Sequence, residues 1–189
     1  DRGTIASNTA NNGGGVYNDD AGRFIMYGGT ITGKKAEQTY GTEYGGGVYN
    51  QGTFNMYGGE ITNNTATVGG GGVFNKGTFT MSGGEITSNS SESYGGGVCY
   101  SSSQLFKMSG TVNITENKVG TTPNNLYLWN GQQVSASGLT SGAEIGVTTQ
   151  IVPINDSSVP ITSDSVSVNC FFLIIVITKQ LLMKIAKLY

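Results

Sequence analysis

Residues Gly45 to Gly69 read GGGVYNQGTFNMYGGEITNNTATVG, and the next 25, Gly70 to Tyr94, repeat them with 15 identities. A repeat this short constrains the fold severely. Its shared apolar residues are Val48, Phe54, Met56 and Ile61, repeated as Val73, Phe79, Met81 and Ile86. Four such side chains cannot offset the entropy of ordering a whole copy, so one copy cannot fold alone. Neighbouring copies must supply the missing contacts, which is the logic of a solenoid.

The shape of one coil follows from spacing. Phe54 and Met56 stand two apart, the period of a strand, and helical spacing is absent. Three short strands are predicted per coil, near Val48 to Asn50, Thr53 to Met56 and Glu60 to Thr62. Gly52 and the pair Gly58 and Gly59 mark corners. Identical strands recurring at a fixed interval pair in parallel at about 4.8 Å. Leucine-rich repeats are excluded because no Leu precedes Leu105. Calcium-binding nonapeptide coils need GGxGxD, whereas Val follows the glycine triplets here. A propeller blade needs about 40 residues. The reading is therefore all-β, a right-handed parallel β-helix, the hand coming from the general rule for parallel crossovers.

The same stretches resemble a known group. GGGVYN, GTFNMYGGEIT, PNNLYL and GLTSGAEIGVTT look like the β-helical repeat region of large bacterial surface proteins, adhesin-like members of the pectin-lyase-like fold group. The resemblance covers roughly residues 3 to 149. It implies a secreted or surface location and a structural or adhesive role. That fold group also holds polysaccharide lyases and glycoside hydrolases, so a fragment of such an enzyme is the alternative, and a pure spacer a second one.

The organisation along the chain is a β-helix over residues 1–150, built from a partial coil 1–12, coils 13–44, 45–69, 70–94 and 95–118, and a closing coil or cap 119–150. Ile5 and Asn8 match Ile61 and Asn64, so the sequence starts mid-repeat, and it reads as a fragment of a larger parent chain. The coil from Gly13 to Tyr44 is seven residues longer than its neighbours. Two of these fall between Val16 and Phe24, and five are assigned to an outward loop, Gly33 to Tyr44, carrying Lys34, Lys35, Glu37, Tyr40, Glu43 and Tyr44. Asn130-Gly131 is a turn signal in the cap. Residues 151–168 form a polar extended linker. Residues 169–189 are hydrophobic and basic, with eight apolar residues from Cys170 to Ile177. That is far short of a bilayer span. A truncated anchor and a basic amphipathic helix with Leu181, Leu182, Ile185 and Leu188 on one face are both open readings; the abrupt change of composition favours a shifted reading frame or a fragment's edge.

Composition narrows function further. A net charge of −2 predicts no nucleic-acid partner, and the absence of His removes the commonest general base and metal ligand. No cofactor and no metal are expected, and no catalysis. Glu60 and Glu85 occupy one coil position and should stack outward, where a carboxylate pair attracts cations. The preceding coil has Thr30 there, and no Arg stands nearby to complete a lyase site. Asn18, Asn50 and Asn75, and separately Asn64 and Asn89, are expected to stack as amide ladders. Cys99 falls where Tyr17, Tyr49 and Phe74 stand in other coils, which reads as a small residue in an aromatic column. The surface-binding candidates are Tyr17, Tyr49, Phe74, Tyr40, Tyr44, Glu60 and Glu85, with the outward Tyr27 and Tyr57. Carbohydrate or a host surface protein is the expected partner. Membrane contact is expected only through the tail.

Overall fold

The computed structural model describes residues 3–36, 44–129, 131–150, 171–177 and 180–186. All regular structure among them is strand, wound as a parallel β-solenoid of five coils. In the third coil the strands are Val48–Asn50, Thr53–Met56 and Glu60–Thr62, where the spacing places them. A fourth, Thr65–Ala66, follows each turn after Thr62. Two residues are too few to show alternation, so nothing in the pattern announces that strand; Ala66 nevertheless points inward and is fully buried.

The faces stack in register, save for a shift on the second between Lys107 and Ser109, where the strand Val134–Leu139 joins it. On the first, Val16, Val48, Val73, Val98 and Leu126 are aligned. On the second, Phe24, Phe54 and Phe79 are aligned, with Met26, Met56 and Met81 beside them. On the third, Ile5, Ile31, Ile61, Ile86 and Ile114 form one column. These columns are the core. Val48, Phe54, Met56 and Ile61 are wholly buried. Phe24, Phe54, Phe79 and Phe106 stack at 4.9, 4.7 and 4.4 Å between ring centres, close to the strand spacing.

Two kinds of corner hold the coil. Between the second and third faces Gly59 has φ +92°, and a Cβ there would come within 2.7 Å of the Gly29 carbonyl oxygen, so only glycine fits. After the third face the left-handed position is filled by side-chain residues, Ser7, Asn63, Ser88 and Glu116, at φ 54° to 59°. The residue that follows explains how this conformation is held. The Asn64 amide nitrogen donates to Ile31 O at 3.0 Å and to Asn89 Oδ1 at 2.9 Å, and Asn64 N–H donates to the same oxygen at 3.0 Å. Asn89 repeats this toward Asn117, and Asn117 toward Asn125. A second ladder, Asn18 to Asn50 to Asn75, has amide-to-amide bonds of 2.6 Å. The ladder amides are thus paired inside the stack, as a dry interior requires.

Lys34 breaks the first ladder. It occupies the slot of Asn8, Asn64 and Asn89, is 1% exposed, and donates its backbone N–H to Asn64 Oδ1 at 3.1 Å. Its Nζ lies 3.0 Å from the Asn8 amide, oriented to accept through oxygen. Burial pulls the amine below its ordinary value of 10.5. Lys34 is therefore not part of an outward loop. Lys35–Ala36 forms the fourth-face strand of its coil, so Gly33 to Ala36 belong to the stack. Glu37, Tyr40 and Glu43 lie outside the described residues.

At the C-terminal end one strand closes two faces. Glu144–Thr149 pairs with the third face through Asn113↔Glu144 and Ile114↔Ile145, then with the first through Leu126↔Val147 and Leu128↔Thr149. Gln180–Ala186 pairs antiparallel with that strand and with Phe171–Ile177. Residues 181, 182 and 185 are thus in a strand rather than on a helix face, in keeping with the β-branched run beside them. Among the described residues no helix is long and apolar enough to cross a membrane. Asn130 and the linker 151–168 lie outside the described residues.

Candidate binding surface

Alternation along each strand sends one residue in and the next out, so the stack carries aromatic columns on its outside as well as within. The first is Tyr17, Tyr49, Phe74, Cys99 and Tyr127. Tyr17 and Tyr49 stack at 5.1 Å, Tyr49 and Phe74 at 5.5 Å. Most of this column is covered. Tyr44 leans on Phe74 at 4.1 Å, and Tyr94 and Trp129 close over Cys99 and Tyr127. Tyr49 is 6% exposed and Phe74 4%, so neither offers a ligand its ring. Only Tyr17, 56% exposed, remains open, its hydroxyl donating to Gln51 Oε1 at 2.6 Å.

Cys99 is the small member of that column, and Trp129 fills the space beside it. Burial pushes the thiol up to about 12, while the nearby Trp129 indole N–H pulls slightly the other way without reaching full hydrogen-bond geometry. A thiol so placed is inert, not nucleophilic. Lys76 Nζ lies 5.8 Å from the ring centres of both Tyr49 and Phe74 and caps the column from the solvent side.

The second column is different. Tyr27 and Tyr57 follow the inward Met26 and Met56, and their rings lie 5.1 Å apart at 12°. Parallel rings at that separation overlap like shingles, leaving part of each face free. Tyr27 is 76% exposed and Tyr57 46%. In the next two coils the column continues as Ser82 and Ser109, joined by a 3.1 Å hydroxyl bond.

Beside the tyrosines runs a groove of about 420 Å³, lined by Gly3, Thr4, Tyr27, Thr30, Glu60 and the corner glycines. Its floor is Gly28, Gly29, Gly58 and Gly59, so backbone lies at the surface. Tyr27 and Glu60, far apart in the sequence, therefore line one groove at a glycine corner; Tyr57 and Glu85 are not among its lining residues.

Glu60 and Glu85 are register partners, flanked in the column by Thr30 and Asn113. Neither carboxylate has a hydrogen-bond or ion-pair partner among the described residues. Like charges one strand apart in water repel by about 1 kcal/mol at most. No group of three His, Cys, Asp or Glu side chains gathers among the described residues. A calcium ion takes roughly six to eight oxygens, more than this pair offers. Tyr44 is part of the cover over Phe74 rather than of the groove, and Tyr40 is outside the described residues. The covering role of Tyr94 and Trp129 was not apparent from periodicity, because they come from corner segments rather than from the repeating strands. Tyr94 had one signal: Tyr44 stands at the same point two coils earlier, with Gly69 between them.

Comparison with family models, with curated proteins and with solved structures finds no match to this chain.

Proposed function

We propose that this chain is a rigid, non-enzymatic segment of a larger secreted or cell-surface bacterial protein, an adhesin-like β-helix of the pectin-lyase-like kind, displaying a binding surface for carbohydrate or a host protein. The observation that carries this reading is the shingled Tyr27–Tyr57 pair. It stays exposed while an equally aromatic column, Tyr49 and Phe74, is covered. Large exposed aromatic residues on a stiff scaffold are characteristic of recognition surfaces. A glycosidase places carboxyl groups on either side of the bond it cuts. Glu60 and Glu85 are register partners stacked in one column, side by side rather than across a cleft, which weighs against the lyase or hydrolase alternative.

The spacer reading draws on the two amide ladders, which tie each coil to the next and stiffen the stack. A glycan array probed with the full chain, with released reducing ends measured in parallel, separates the three. Binding without release is expected. Release of reducing ends would favour the enzyme, and silence in both channels the spacer.

A further inference from the structure

The largest sheet ends in an edge unlike the others. Glu144–Thr149 lies beside Gln180–Ala186, which lies beside Phe171–Ile177, and the last has no neighbour on its other side among the described residues. The backbone groups along that side are open to another strand. The sequence there is FFLIIVI, seven apolar residues with no charge, proline or glycine. Edges that stay single are usually short or carry a charge or a proline, and this one has none of those guards. At the opposite end of the rod the edge strands Thr4–Ala6, Thr9–Ala10, Val16–Asn18 and Arg23–Met26 are only two to four residues long, and each includes Thr, Asn or Arg.

Direction decides what such an edge takes. Antiparallel addition of the same strand from a second copy relates the two chains by a two-fold axis, so a single pairing uses both edges and closes. Centred on Ile174, that pairing sets Phe171 against Ile177 of the partner subunit and Ile174 against Ile174 of the partner subunit, so every opposed pair is apolar. Parallel addition would leave the incoming strand with a free edge and would not stop at two. A bilayer suits the strand less well, because a membrane-spanning strand needs about 9–11 residues.

We infer that Phe171–Ile177 is a self-association edge, which pairs antiparallel with the same strand of a second copy and joins two rods through one continuous sheet. The test is sedimentation velocity of the full chain over a range of concentrations, under reducing conditions, with flotation on neutral phosphatidylcholine vesicles in parallel. A monomer–dimer equilibrium is expected. Ile174→Lys and Ile174→Glu each set like charges against one another at the two-fold axis and should weaken the dimer by at least about ten-fold. Mixing the two variants opposes Lys to Glu and should restore it, which a misfolded chain could not do. A native chain that stays monomeric, or a dimer indifferent to Ile174→Lys, overturns the inference. Failure of the mixture to recover overturns the two-fold pairing, as does growth of the native chain into long polymers. A monomer that floats with the vesicles assigns the edge to lipid and overturns the second copy as its occupant.

Discussion

The two outer aromatic columns differ in one respect. Tyr49 and Phe74 project from the first face, Tyr27 and Tyr57 from the second, each column stacked at the strand spacing. One is nearly sealed and the other is open. The difference is made by residues outside either column: Tyr44, Tyr94 and Trp129 arrive from corner segments over the first, while the second borders a corner of bare glycine. Pointing outward and being accessible are thus separate properties. The first is set by strand period, the second by what the neighbouring corners carry.

The contrast between covered and open positions can be broken by mutation. The largest loss is expected at the most enclosed polar site. Asn89→Ala removes amide donations to Ile61 O, Thr87 O and Asn117 Oδ1 and leaves the Asn64 donors without their acceptor. Unpaired buried donors cost about 1–3 kcal/mol each, so a drop on the order of 3 kcal/mol in urea unfolding is expected. A change below the error of the midpoint would mean that water replaces the amide without cost.

Phe74→Ala comes next, at about 3 kcal/mol, as for other buried aromatic truncations. Trp129→Ala should act similarly and also uncover Cys99. In a Cys170→Ser background, the native chain should resist thiol labelling at pH 8 while the Trp129→Ala variant is modified. Rapid labelling before that substitution would show the cover to be loose.

A smaller effect is expected from pH. Burial raises the Cys99 thiol from 9.0 to about 12 and the Tyr100 hydroxyl from 10.0 to about 12. Both groups are held neutral by the fold and ionise first in the unfolded chain. Their contribution is therefore complete below about pH 9 and is lost as pH rises toward 12. The melting temperature should be level to pH 9 and then fall, less steeply for Cys99→Ala. A fall that begins below pH 9 would have another origin. The smallest effect belongs to the open column: Tyr27→Ala and Tyr57→Ala should each cost less than about 1 kcal/mol by the same urea assay. A loss matching that of Phe74→Ala would erase the distinction between the columns.

Much of the stack was legible because its signals repeat. Phe54 and Phe79, or Ile61 and Ile86, announce an inward column by returning at one interval, and the three longer strands fall where that interval puts them. Features that occur once were harder to place. Lys34 reads as a solvated loop residue by its charge, but its position one residue after the left-handed corner makes it a ladder residue. Thr65–Ala66 is too short for a period to show. The cover over Tyr49 depends on contacts between different coils, which no single coil encodes. The groove was half legible: Tyr27 and Glu60 each stood out, but their meeting depends on how the glycine corners of neighbouring coils stack.

The direction of the amide bonds has a further consequence. In each Asn ladder the amide-to-amide bond runs toward the coil that comes later in the sequence, and the glycine triplets bond in the same sense, Gly46 N–H to Gly70 O and Gly71 N–H to Gly95 O. Every seam between middle coils is therefore interchangeable with the next. Duplicating or deleting one unit from Gly45 to Gly69 at the level of the gene would lengthen or shorten the rod by one rise while every remaining bond finds an equivalent partner. Reach becomes a heritable quantity that recombination can adjust in whole steps, without redesign of the parts.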